Sequence, residues 1–141
     1  MKIQELISEE KEALSQFKAQ EYPSVDKEHY GEIPDFTFHE FTLVIKDEEK
    51  IVGYIDATVC LGVGYVKSLL IGSDYRGKGL GKELMDAAEE KVKNLGAHKI
   101  WLETGSNWQA KAFYEKLGYS MRTILPNDVN GQEAVLMDKM L

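Results

Sequence analysis

Between residues 72 and 81 the chain reads Gly72-Ser73-Asp74-Tyr75-Arg76-Gly77-Lys78-Gly79-Leu80-Gly81, with Lys82 following. Glycines at this density let the backbone take positive φ and bring its N–H groups close to a bulky anion. A helix starting here would add about four unpaired N–H groups and about half a positive charge. Arg76, Lys78 and Lys82 add formal charge around them. The chemistry this predicts is a cradle for phosphate groups. Two familiar phosphate loops fit badly. The dinucleotide pattern G-x-G-x-x-G needs glycine at 82, where Lys82 stands. The nucleotide-triphosphate pattern G-x-x-x-x-G-K-[ST] meets Gly72 and Gly77-Lys78, but Gly79 replaces the hydroxyl that must reach magnesium. A P-loop nucleotide-binding protein is therefore kept only as an alternative.

A second group follows: Glu103, Asn107, Ala110 and Tyr114. The last three are spaced three and four apart, which predicts one helix face. Ala110 is small enough for a close backbone approach there, and Tyr114 offers a phenol. Phe113 and Leu117 read as core. No metal is expected, because three scattered histidines and one cysteine have no ligand spacing. Cys60 reads as core rather than as a covalent carrier.

These residues need elements to hold them. Residues 2–7 predict a first strand. Ser8 predicts an N-cap for a helix over 9–21, with Leu14 and Phe17 on one face and Pro23 closing it. Residues 22–37 are the least readable stretch and predict loop, with room for a short helix. From Phe38 the period becomes two, giving a strand to Ile45, a turn at 47–50 and a partner strand to Cys60. Residues 65–71 predict a third, mostly apolar strand. Behind the glycine loop, Leu80, Leu84, Ala88, Val92 and Leu95 make one helical stripe that ends at Gly96. A strand over 99–104 and a helix over 107–117 follow. Two strands over 119–125 and 133–140 are joined through Asn130-Gly131, a good turn pair. The order βαβββαβαββ predicts an α/β fold.

The run Arg76-Gly77-Lys78-Gly79-Leu80-Gly81 resembles the Arg/Gln-x-x-Gly-x-Gly/Ala signature of the GCN5-related N-acetyltransferases. Ile100 to Thr104, then Asn107, Ala110 and Phe113-Tyr114-Glu115-Lys116-Leu117-Gly118-Tyr119, is similar to that family's second signature. The resemblance covers about residues 40–125 and implies the acyl-CoA N-acyltransferase fold: a mixed, largely antiparallel central sheet with splayed strands, flanked by helices. It implies acetyl-CoA as co-substrate. The backbone and charges at Arg76, Gly77, Lys78, Gly79, Leu80, Gly81 and Lys82 would hold the pyrophosphate. Asn107, Ala110 and Tyr114 would line the coenzyme's arm. Backbone N–H groups within Leu69, Leu70 and Ile71 would stabilise the oxyanion. Tyr114 would protonate the leaving thiolate.

The base is less direct. Lys67 stands where many members carry a glutamate, and a protonated lysine cannot take that part. Leu102-Glu103 with Asn107 and Tyr114 resembles bacterial ribosomal-protein N-terminal acetyltransferases, which implies Glu103 as base. His29, His39 and Asp56 are further candidates. The reaction implied is transfer of acetyl to a primary amine, on a small molecule or a protein, by direct attack in a ternary complex. A catalytically idle acyl-CoA-binding module of the same fold is the alternative, supported by Lys67. Dimers are common in the family, so a homodimer is open.

Composition bounds the rest. The chain has 141 residues, 17 basic and 24 acidic, net −7. Residues 1–50 hold 13 acidic and 6 basic side chains, so they carry the whole surplus. That balance argues against a nucleic-acid partner, which would call for a basic patch. It leaves either a solvated face or an acidic entrance for a cationic acceptor. The length predicts a single N-acetyltransferase domain over 1–141. No run of about 18 apolar residues is present, so no membrane is expected. The lone Cys60 and an N-terminus without an apolar signal core predict a cytoplasmic protein.

Overall fold

A computed structural model describes residues 3–141. The chain divides after Asp35 into two compact units. In the first, residues 3–7 form no strand, and Lys2 of the expected strand lies outside the described residues. Ser8 opens a 3-10 turn, Ser8–Glu10, rather than capping the helix. Glu10 accepts the Ile7 N–H at 3.3 Å instead. Helix α1 then spans Lys11–Tyr30 and runs through Pro23, where the sequence predicted an end. An interior proline costs about 3 kcal/mol because it removes one N–H. Here Pro23 and Ala19 are both exposed, so water can take the freed carbonyl. Strong helix formers precede it at Lys18-Ala19-Gln20-Glu21, and the stop comes at Gly31, whose φ of 78° lets its N–H reach the Lys27 carbonyl at 3.0 Å.

The second unit is a six-stranded sheet with two helices. Its elements are β1 (His39–Asp47), β2 (Lys50–Cys60), β3 (Val63–Ile71), α2 (Leu80–Asn94), β4 (Lys99–Gly105), α3 (Gln109–Lys116), β5 (Ser120–Leu125) and β6 (Ala134–Met140). The strand order is β1-β2-β3-β4-β6-β5, and β3–β4 is the parallel pair in an otherwise antiparallel sheet. The mixed, largely antiparallel fold is thus as the sequence predicts, without the initial strand. Asn130 and Gly131 both take positive φ, and the Gln132 N–H bonds the Val129 carbonyl. That is the turn the Asn-Gly pair predicts, set inside a longer connection.

Alternation places Ile55, Ala57, Val59 and Val66 on one face of the sheet, and all are buried. The α2 stripe packs there through Leu84, Met85, Ala88 and Val92, each buried. Fully burying a Leu, Met or Val side chain contributes about 1.5–3 kcal/mol. Gly64 permits the approach, since a Cβ there would lie 3.3 Å from Val92. The core continues through Ile100, Leu102, Tyr114, Tyr119, Val135 and Met137. No helix of the described residues is long and apolar enough to cross a membrane.

On the opposite face Asp138 is 3% exposed, yet charged. Lys99 reaches it at 2.9 Å and Arg122 at 2.5 Å, tying β4, β6 and β5 together. Burial pushes its carboxyl up, but the hydrogen bonds from Lys99 and Arg122 outweigh that and hold it below the ordinary carboxylate range. Both cations are partly exposed, which tempers the effect. Asp138→Asn is expected to lower unfolding free energy in urea by about 2 kcal/mol. A lowered folded-state pKa means this stabilisation is present above the unfolded value near 3.9 and is lost as pH falls below it.

Candidate active site

β3 and β4 pair over only three rungs, Val63↔Lys99, Gly64↔Ile100 and Tyr65↔Trp101. Beyond the last rung β3 pairs only with β2, and β4 only with β6. The sheet therefore splays open in its middle. A bulge marks the start of the splay. Asp56 pairs with Ser68 while Ala57 pairs with Val66, which leaves Lys67 without a partner residue. Such an extra residue bends the strand and increases its twist. Tyr65 and Trp101 stack at 4.3 Å between ring centroids and pin the last rung.

The ladder decides which β3 amides face the gap. The Gly72 N–H bonds the Val52 carbonyl on β2. Alternation then turns the Leu70 N–H toward β2, and the Leu69 and Ile71 N–H groups into the gap. The Ile71 carbonyl confirms the phase, because Arg76 Nε donates to it at 3.0 Å from the loop side. So two of the three amides expected to meet an oxyanion border the opening. Leu70 instead presents an exposed side chain on the face away from α2.

The glycine loop lies at the end of the same strand. A 3-10 turn over Ser73–Tyr75 is held by the Tyr75 hydroxyl, which donates to Asp47 at 2.7 Å. Gly77 and Gly79 take φ of 74° and 85°, with open space where a Cβ would point. No side chain caps α2, and the first helical bond from its N-terminus is Glu83 N–H to the Gly79 carbonyl at 3.1 Å. The N–H groups of Leu80, Gly81 and Lys82 precede that bond. Left-handed glycines beside an uncapped helix start fit a diphosphate. The cations divide: Arg76 braces Ile71, Lys82 pairs with Asp86, and Lys78 sits 5.1 Å above the Tyr75 ring. Gly81 lies against Phe113 of α3, so the two signature segments touch. A shallow pocket of about 250 Å³, lined by Val52, Tyr54, Leu70, Gly72, Asp74 and Tyr75, opens beside the loop and does not reach Tyr114 or Glu103.

α3 starts at Gln109, so Asn107 lies in the preceding turn, exposed, and does not share the helix face with Ala110 and Tyr114. Trp108 takes the N-cap position, its ring stacked on Gly105. Ala110 is half-buried against the core. Tyr114 is 8% exposed, and burial pushes its phenol up from the usual value. Glu103 is exposed on β4, two residues past Trp101. Burial raises the Tyr65 phenol, and the negative charge of Glu103 adds to that, which places the carboxylate within electrostatic reach of Tyr65.

Lys67 pairs with Glu40 of β1, and that hydrogen bond holds its ammonium above the usual lysine value. It stays protonated and is no base. Asp56 accepts hydrogen bonds from Thr42 at 2.5 Å and Ser68 at 3.1 Å, which occupies both its oxygens. His39 begins edge strand β1, and His29 lies on α1. Cys60 is half-buried, 3.8 Å from the Phe36 carbonyl. The Tyr65–Trp101 stack was not foreseen. Its signal was two aromatic residues at matching depths of strands about to become neighbours.

The model of the acetyltransferase (GNAT) family matches residues 2–119, and the chain belongs to that family. N-alpha-acetyltransferase 30 of Schizosaccharomyces pombe is 37% identical over 57% of this chain and 57% of its own length. An uncharacterised N-acetyltransferase of Methanocaldococcus jannaschii is 34% identical over 68% of this chain and 64% of its own. The chain thus spans less than two thirds of these relatives. Among solved structures, an acetyltransferase from Bacillus cereus superposes with a TM-score of 0.77 at 26% identity, covering 100% of this chain and 98% of that one.

Proposed function

We propose that the chain is a single-domain N-acetyltransferase that moves the acetyl group of acetyl-CoA to a primary amine by direct attack. The observation that carries this reading is the splay between β3 and β4, with the glycine loop at one end and Tyr114 and Glu103 on the adjoining elements. The backbone of 77–82 would hold the diphosphate, and the pantetheine arm would lie in the gap. The amine must arrive neutral, since a free alkyl ammonium has a pKa of about 10.4. Its nitrogen attacks the thioester carbon, and the carbonyl oxygen becomes an oxyanion facing the Leu69 or Ile71 N–H. Attack makes the nitrogen acidic, and Glu103 takes its proton, directly or through water. The C–S bond then breaks, and Tyr114 gives its proton to the leaving sulfur. The products are an amide and free coenzyme A.

The similarity to an N-alpha-acetyltransferase supports a protein amino terminus as the first acceptor to test, beside small amines. Family and lone thiol support a cytoplasmic setting. Coenzyme A release should be followed with acetyl-CoA and a panel of peptide amino termini, polyamines, amino acids and drug-like amines. Turnover on any of them is expected. Tight coenzyme binding without turnover on all of them would make the chain a binding module. Glu103→Gln, tested on the best acceptor, is expected to lower kcat about tenfold or more. An unchanged kcat would move the base elsewhere.

A further inference from the structure

Glu89, Tyr119 and Lys139 sit together away from the glycine loop, one on α2, one just after α3 and one on β6. The Tyr119 side chain is 3% exposed, and its hydroxyl donates to Glu89 Oε1 at 3.0 Å. Lys139 Nζ donates to the other carboxylate oxygen at 2.6 Å, and stands 5.8 Å from the Tyr119 ring centroid. Both oxygens of a carboxylate that is only 14% exposed are thus used. Tyr119 in turn leans on Tyr114. Their rings meet edge to face with centroids 5.8 Å apart, and the Tyr119 N–H bonds the Tyr114 carbonyl at 3.1 Å.

Tyr114 has no side-chain hydrogen bond among the described residues that would fix its hydroxyl. Packing in the core holds it instead, including edge contacts with Phe113 at 5.1 Å and 65° and with Tyr119 at 63°. Phe113 moves with Tyr114 on the same helix. Tyr119 is anchored from two other elements. Its phenol remains a donor, because burial, then the charge of Glu89, push it far above the usual value.

We propose that Glu89, Tyr119 and Lys139 form a clamp that orients Tyr114 toward the thioester sulfur, with Glu89 and Tyr119 as positioning residues for the acid step. The proposal rests on the reading of Tyr114 as the acid. A general acid must point at the atom it protonates, and small misplacements of a reacting group can cost up to about a hundredfold in rate. Glu89→Ala leaves the buried Tyr119 hydroxyl without its acceptor and frees its ring to turn. Glu89→Gln keeps an acceptor oxygen for Tyr119 and gives up the charge and the hydrogen bond that Glu89 offers Lys139.

The test is a cycle of Glu89→Ala, Tyr114→Phe and the double variant, with Glu89→Gln and Tyr119→Phe beside them. Folding is checked by thermal denaturation, and kcat and KM for acetyl-CoA are measured. Glu89→Ala and Tyr119→Phe are expected to lose about fivefold to tenfold in kcat, with KM within about twofold, and Glu89→Gln to regain most of that loss. In the Tyr114→Phe background, Glu89→Ala is expected to cost nothing further. Additive losses in the double variant would overturn the clamp, as would a single Glu89→Ala with full kcat. An inactive but folded Tyr114→Phe with an unaffected Glu89→Ala sinks the clamp alone. A fully active Tyr114→Phe sinks the acid reading itself. If Glu89→Ala does not fold, Tyr119→Phe takes its place in the cycle with the same outcomes.

Discussion

Tyr114→Phe is expected to lower kcat about a hundredfold or more while leaving KM for acetyl-CoA nearly unchanged. The ring is 8% exposed and wedged between Phe113 and Tyr119, so phenylalanine fills the same space and keeps the same edge contacts. What disappears is one proton donor. A leaving thiolate without that donor departs as a bare anion into a gap bordered by Val66–Ile71 and Leu102–Gly105. Burial raises the Tyr114 pKa, and the sign follows. The acid form is the protonated phenol, which is present throughout the neutral range and lost only as pH rises through that raised value. A fall in kcat beginning below pH 10 must therefore come from another group. Presteady-state release of coenzyme A thiol at several pH values measures both points. A variant that retains wild-type kcat would remove Tyr114 from the mechanism.

Gly79→Asp is expected to weaken acetyl-CoA binding at least about a hundredfold while the protein stays folded. Glycine at 79 has φ of 85°, and a Cβ there would enter open space. Aspartate is among the few residues that tolerate this left-handed region, at a cost of about 1–2 kcal/mol. A carboxylate near the first turn of α2 also favours the helix dipole by about 0.3–1 kcal/mol. The fold is thereby largely spared. The ligand is not, because a fixed negative charge now stands beside the N–H groups that would meet a diphosphate, and like-charge juxtaposition costs several kcal/mol. Calorimetry with acetyl-CoA reads the affinity, and circular dichroism reads the helix. Unchanged binding would place the coenzyme's phosphates away from this loop.

Much of the second unit is legible from residue order alone. Strand β1 announces itself because one face is covered and the other is wet, so burial alternates along it, whereas β2 and β3 read from their apolar runs, covered on both faces over much of their length. The α2 stripe is equally plain, since Leu84, Ala88 and Val92 all point at one sheet face. The first unit is not legible in this way. Pro23 is a strong local signal for a helix end, and it is outweighed because the freed carbonyl is exposed and residues 18–21 before it favour helix. α3 starts at 109 rather than 107 because Asn107 lies in a turn in which the Trp108 N–H bonds the Gly105 carbonyl and Trp108 is extended, a local geometry that no periodicity reveals. The glycine loop and Tyr114 could be named in advance. The splay could be expected only through the family resemblance. Its local origin, the unpaired Lys67 and the stack of Tyr65 on Trp101, needed the register of three strands. The Glu89–Tyr119–Lys139 cluster joins positions 30 and 50 residues apart, and nothing local marks it.

The strand order carries a consequence for how the molecule is made. β1, β2 and β3 each pair with their neighbour in sequence, so that part can close as soon as it leaves the ribosome. The other part cannot. β6 lies between β4 and β5, although both are synthesised before it. Until residues 134–140 emerge, β4 and β5 each wait with an open edge, the kind of surface that invites aggregation or chaperone capture. Glu103 and Tyr114 belong to that waiting part. A nascent chain can therefore carry a finished glycine loop while the proposed catalytic residues still wait for the last strand to slide in.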